Sequence, residues 1–210
     1  MFIEQPARFL RWLYPHAVWR MDPSVKAVYL TFDDGPIPEA TPFVLDTLAR
    51  YGIKATFFMV GDNVRKHPDV FRQVVEAGHA VGNHTFNHIS GLRWLSKNYL
   101  ANTLQAEELM GSGLLFRPPH GWMRLSQYLV IRRHGYHIIM WDLVTRDYSS
   151  RLTADEVFEN VKHYTRNGSI ITFHDSLRSI DKLKKILAPS LEWLLHEGYE
   201  FRLFDFPLSK

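Results

Sequence analysis

The chain has 210 residues, 46% hydrophobic and 22% charged, the proportions of a globular protein rather than a disordered tail or a low-complexity polymer. Its formal net charge is only +3 and no run of five or more basic residues occurs, which argues against a nucleic-acid partner. Cysteine is absent, so disulfides, thiolate metal sites and cysteine nucleophiles are excluded.

Residues 1–25 read as an N-terminal appendage. Within them, residues 6–14 suit a short helix with Phe9, Leu10 and Leu13 on one side. The expectation is a cap packed on one end of the domain. Basic residues flanking Trp12 and Trp19 suggest, as the sharper alternative, weak contact with a membrane surface or a partner-binding helix. Arg8, Arg11, Pro15 and His16 interrupt the apolar stretches, so no signal-peptide core is expected and the compartment stays open between cytoplasm and cell envelope. No window reaches the ~18 apolar residues of a membrane span.

Residues 26–210 read as one domain, without repeats or a Ser/Gly-rich linker. Short β-branched or aromatic runs at 26–32, 53–60, 79–82, 114–117, 136–141, 169–174 and 199–204 suit strands. Helix-like segments lie between them, at 41–51, 68–77, 97–110, 126–134, 153–166 and 189–196. Thr153 with Glu156 forms a capping box, and Pro68 and Pro189 suit a first helical turn. Such alternation predicts an α/β fold with a parallel sheet buried on both faces. The seven units either close as a TIM-like barrel with one unit missing or lie open as a doubly wound sheet. The lack of G-x-G-x-x-G after the first strand lowers the dinucleotide-binding version of the open sheet. Either way, chemistry is expected at the carboxyl ends of the strands.

The first strand ends in Thr31-Phe32-Asp33-Asp34-Gly35-Pro36. Two adjacent carboxylates after a buried strand must be solvated, paired or metal-bound. The third leads into His84-Thr85-Phe86-Asn87-His88, whose i,i+4 spacing puts both imidazoles on one face if the turn is helical. One Asp with two His supplies three protein ligands and leaves a position for water, as catalytic zinc requires; non-haem iron uses the same set. Further strand ends carry Arg117, followed by Pro118-Pro119-His120-Gly121, then Asp147-Tyr148, then Thr172-Phe173-His174. Singly, Arg117 reads as a surface ion pair, Asp147 as a helix cap and His174 as a core histidine. Five of seven runs ending in ionisable or metal-competent side chains point instead to one site.

In combination these motifs resemble the polysaccharide deacetylase family, the NodB-homology domain of carbohydrate esterase family 4. The resemblance runs from about residue 26 to 204. It implies a distorted (β/α)7 barrel in preference to the open sheet, and removal of N-acetyl groups from amino-sugar glycans of peptidoglycan or chitin type. Xylan-type O-acetyl esterase activity and a low-activity, metal-containing carbohydrate-binding protein are the alternatives. It further implies one divalent ion, zinc first with cobalt, nickel or manganese as substitutes, held by Asp34, His84 and His88. Asp33 would be the base, held by Arg117, and His174 the acid, oriented by Asp147. Departures from the family pattern are Val144 for the usual leading Asp of its motif, Thr172 for the leucine of the acetyl-methyl pocket, and His120 for the usual aromatic. Thr172, His120, Trp122 and Tyr148 are the expected substrate contacts, and Trp94 and Phe86 are further candidates for stacking on a sugar ring.

Overall fold

The computed structural model describes residues 4–206 apart from Ser112, so the outermost ends of the expected 1–25 and 26–210 segments lie outside the described residues. After α1 (Arg8–Leu13), alternation begins with β1 (Ala27–Asp33), α2 (Thr41–Arg50), β2 (Thr56–Met59), α3 (Gly61–Lys66), α4 (Pro68–Glu76) and β3 (Ala80–Asn83). It continues through α5 (Ser96–Met110), β4 (Leu115–Phe116), α6 (Leu125–Arg133), β5 (His137–Ile138) and β6 (Leu143–Val144). Last come α7 (Ala154–Tyr164), β7 (Ser169–His174), α8 (Ile180–His196) and β8 (Glu200–Phe201).

All these strands pair in parallel, in the order β5-β4-β3-β2-β1-β7-β6, with β8 also against the start of β1. The sheet is strongly curled. Four strand spacings separate β4 from β7, roughly 19 Å in a flat sheet. Yet Arg117, one residue past β4, reaches the Thr172 hydroxyl of β7 at 3.1 Å. The expected distorted barrel is therefore what forms, and the open doubly wound sheet is not. Residues before β1 bridge the two ends of the sheet. Val18 pairs beside Ile139 next to β5, and the Glu4 carbonyl accepts the Val144 N–H of β6 at 2.8 Å. Arg11 anchors α1 to the fully buried Asp142 at 3.2 Å.

Side-chain alternation along the strands sorts two environments. Val28, Leu30 and Phe32 of β1, Phe57 and Met59 of β2, and Ile171 and Phe173 of β7 face outward into the core shared with α2, α7 and α8. The intervening Thr31, Asp33, Phe58, Thr172 and His174 therefore face the barrel interior. Register aligns them, since Asp33 stands opposite both Phe58 and His174.

Three local expectations change. The run at 136–141 shortens to β5 at His137–Ile138; the chain then crosses to β6 at the opposite end of the sheet, and Ile139 and Met140 on the way give carbonyls to Arg117. Helix α8 begins nine residues before Pro189, which sits in its interior. There it lacks the N–H a helix would use, but the burial of Leu183, Ile186, Leu187, Leu191 and Leu194 outweighs that loss. Helix α3 lies in a stretch with no helix-like periodicity in the sequence. The capping box of α7 forms as expected, Thr153 Oγ1 accepting from the Glu156 N–H at 3.2 Å and Glu156 from the Thr153 N–H at 2.7 Å.

Candidate active site

A cleft of about 710 Å³ opens at the carboxyl ends of the strands. Asp33, Asp34, His84, His88, His120, Trp122, Tyr148, Thr172 and His174 all line it, while Arg117 and Asp147 stand behind. The barrel thus gathers every expected site residue. Trp94 and Phe86 are not among the lining residues; Phe86 is buried against α3 and α5, where it would crowd any side chain at Gly61.

Asp33 enters from β1 with its Oδ1 accepting from Arg117 Nη1 at 2.7 Å. Burial pushes the Asp33 carboxyl above its usual range, while Arg117 and His174 oppose the shift. Arg117 is 1% exposed, and its charge is tolerable only because every edge of the guanidinium is used. Nε donates to the Ile139 carbonyl at 3.1 Å and Nη2 to that of Met140 at 2.7 Å. Nη1 also donates to Thr31 and Thr172, and the guanidinium sits 4.1 Å over the Phe58 ring. The Thr172 hydroxyl therefore has the partners its burial demands, Arg117 and, at 3.1 Å, Thr31.

Asp34 follows β1 in a left-handed conformation, φ 84°, its carbonyl accepting from Asn63 Nδ2 at 2.8 Å. Its carboxylate lies 3.2 Å from His88 Nε2 and 3.8 Å from His84 Nε2. One ligand atom from each residue falls within 4.8 Å of the others. Burial disfavours the Asp34 charge, but the His88 hydrogen bond and the neighbouring imidazoles hold its carboxyl well below the usual range. His84 Nδ1 is 2.7 Å from the Arg117 carbonyl, so Nδ1 carries the proton and Nε2 presents its lone pair to the cluster. Burial keeps His84 neutral by moving its pKa well below the usual value. An ionised carboxylate and a neutral imidazole with its tautomer set are the states a divalent ion needs. The donor set fits.

The helical face expected for His84 and His88 is not what joins them. Both lie in a loop after β3, with Thr85 (φ 64°) and His88 (φ 52°) left-handed. Asn102 Oδ1 on α5 accepts from the N–H groups of Phe86 and Asn87 at 3.0 and 3.1 Å, and Thr85 Oγ1 accepts from that of Ile89. These side-chain acceptors compete successfully with helical hydrogen bonds.

His174 is gripped by Asp147, fully buried behind it. Oδ1 lies 2.8 Å from Nδ1 and Oδ2 accepts the His174 backbone N–H at 2.7 Å. Burial opposes a charge on His174, but Asp147 overrides it and the pKa is pushed up to about 9. Tyr148 packs edge-on against the His174 ring, centroids 4.7 Å apart. His120, at φ 60°, places its ring 4.7 Å from that of His88.

Sequence reasoning missed several supports. Asp175 Oδ1 accepts from the Gly35 N–H at 3.1 Å and Oδ2 from the Thr41 hydroxyl at 2.6 Å, holding the turn after Asp34. A Cβ at Gly35 would lie 2.1 Å from Asp175, so only glycine fits. Asn63 had no signal. Phe9 and Leu10 of α1 form one wall of the cleft, visible only once the N-terminal segment is placed.

The family model described as polysaccharide deacetylase matches residues 20–139. A peptidoglycan-N-acetylglucosamine deacetylase of Bacillus cereus is 32% identical over 192 residues, covering 89% of this chain and 90% of that protein. A chitooligosaccharide deacetylase of Azorhizobium caulinodans is 32% identical over 162 residues, covering 74% and 77%. Among solved structures, the Bc1960 peptidoglycan N-acetylglucosamine deacetylase superposes with a TM-score of 0.82 at 29% identity, covering 91% of this chain and 92% of that one.

Proposed function

The chain belongs to the polysaccharide deacetylase family, and on that premise we propose that it hydrolyses N-acetyl groups on amino-sugar glycans of peptidoglycan or chitin type. One observation carries the reading: three metal-competent ligand atoms converge in the same cleft as an Asp33–Arg117 pair and a His174–Asp147 pair.

Asp34, His84 and His88 would hold a divalent ion, zinc being the first expectation for one carboxylate and two imidazoles with a position open. Bound there, such an ion supplies Lewis acidity, polarising the acetyl carbonyl and acidifying a water. Asp33 is the general base. Its support is a position on the inner face of β1, a carboxyl made more basic by burial, and aim set by Arg117. His174 is the general acid. Its proton is retained near neutral pH because Asp147 stabilises the imidazolium, and Nδ1 is engaged by that carboxylate, which leaves Nε2 to donate to the departing amine nitrogen. Arg117 and Asp147 act through these two residues. Trp122 and Tyr148 offer apolar ring faces along the cleft for sugar rings, and Thr172 and His120 border the acetyl end.

The reading is tested by acetate release from N-acetylglucosamine oligomers, set beside an O-acetylated xylan in the same panel. Release from the oligomers should stop with a chelator and return with zinc or cobalt. Release only from the ester would replace amide with ester hydrolysis, and glycan affinity without any release would reduce the protein to a binding module. Full activity in Asp33→Asn would remove the base assignment.

A further inference from the structure

We propose that the face beside the cleft mouth, built from α1, the Gly91–Arg93 turn with its following loop, and the start of α6, docks on an anionic lipid bilayer. Three separate stretches form one surface there. Trp122 O and the Met123 Cα lie 2.7 Å from where a Cβ on Gly91 would stand, so the 91–95 loop packs tightly on the 122–127 segment. Gln127 Nε2 donates to the carbonyls of Gly91 and Trp94 at 2.8 and 2.9 Å, Arg124 to that of Leu92 at 2.9 Å, and Ser96 meets Ser126 at 2.7 Å. From the other side, Tyr14 after α1 bonds both the N–H and the carbonyl of Met123, and the Phe9 ring lies tilted beside that of Trp122 with centroids 6.5 Å apart.

This surface leaves large apolar side chains in water. Trp12 is 83% exposed and Leu95 65%, and Phe9, Leu92, Trp94 and Leu125 are each exposed by more than two-fifths. Scattered apolar residues need no explanation, but a contiguous set of this size marks an interaction surface. Its charge selects the partner. No Asp or Glu occurs in residues 5–21, 77–106 or 109–141, whereas Arg93, Lys97 and Arg124 on this face are exposed. The two intervening acids, Glu107 and Glu108, lie at the far end of α5, about 16 Å along its axis from Ser96. Exposed aromatic and leucine side chains interspersed with exposed Arg93, Lys97 and Arg124 match the interface of a bilayer with anionic headgroups. Among the described residues no helix is long and apolar enough to cross a membrane, and the contact proposed is one of side chains on the surface. Phe9 and Trp122 belong to both the surface and the cleft rim, which places the cleft mouth against the bilayer.

The test uses the full chain, without metal or substrate, in sedimentation with vesicles of phosphatidylcholine alone or mixed with phosphatidylglycerol. Failure here would therefore not bear on the deacetylase reading. The protein should pellet with the mixed vesicles, less with phosphatidylcholine alone, and progressively less as salt rises. A variant carrying Trp12→Ser with Leu95→Ser should lose at least about tenfold in partitioning. Arg93→Glu with Lys97→Glu should lose roughly fivefold or more per residue. All four positions are exposed and outside the cleft, and circular dichroism checks that both variants fold. No pelleting at low salt, unchanged partitioning in either variant, or a lipid-free dimer that Trp12→Ser converts to monomer would overturn the proposal.

Discussion

The carboxylate of Asp147 holds His174 at two points, Oδ2 on the backbone N–H at 2.7 Å and Oδ1 on Nδ1 at 2.8 Å. One contact fixes where the residue is, and the other fixes its ring and its charge. Since the imidazolium persists up to a pKa of about 9, acetate release should follow a bell. Its alkaline limb falls near pH 9, as His174 loses its proton. Its acid limb lies above the ordinary aspartate value, because burial raises Asp33. Asp147→Asn keeps the shape but removes the charge that overrides burial. The alkaline limb should then move down, and the maximal rate should drop on the order of 10²-fold or more. A pH–rate profile of the two proteins checks both statements; an unmoved limb would count against His174 as the acid.

Arg117 has no water to fall back on. Truncation in Arg117→Met leaves Asp33 buried without a cation and strips partners from the Ile139 and Met140 carbonyls. A loss of about 3–5 kcal/mol in urea unfolding is expected. Arg117→Lys restores a charge but not the fork, so it should recover only part of that stability and little activity.

Asp175 separates a supporting role from a charged one. Burial, with the nearby Asp34 charge adding to it, pushes its pKa up to about 8 against the opposing Thr41 hydrogen bond. The group is then largely neutral at pH 7. Asp175→Asn should therefore stay near the parent in zinc affinity, since its Oδ1 can still accept from the Gly35 N–H. Asp175→Ala releases the turn behind Asp34, and zinc affinity should fall by about 10–100-fold. Competition against a chelating dye reads the difference directly.

His79 predicts a pH dependence of folding away from the cleft. It is 8% exposed, and its Nδ1 accepts the Ala55 N–H at 3.1 Å. Burial, reinforced by the charge of Lys54, lowers its pKa to about 4. Unfolding restores the ordinary value near 6.5, so between the two values the unfolded chain binds the extra proton. The contribution is complete above about pH 6.5 and is lost as pH falls toward 4, amounting to at most about 3 kcal/mol. His79→Asn keeps an acceptor near Nδ1 and removes the titration. The stability difference between the two proteins in urea should accordingly shrink between pH 7 and pH 4.5.

Several strand ends were readable in the linear chain because their site residues follow directly on an apolar run, as after 27–32, 114–116 and 170–173. Asp33, Asp34, Arg117 and His174 could be singled out without coordinates for that reason. The α/β alternation and the capping box of α7 were legible through local periodicity, which depends on near neighbours only. Folding was needed for whatever depends on contacts between distant residues. The His84–His88 pair meets through a loop pinned by Asn102, not through helical spacing, and no pattern within five residues encodes that partner. Thr172 is tolerated where a leucine is usual because Arg117, 55 positions away, donates to it. Helix α1 becomes a cleft wall because the sheet curls but does not close, leaving its two ends to be bridged by Val18 and Glu4. Local chemistry announces which groups are costly to bury, and the curl of the sheet determines which of them can offset one another's cost.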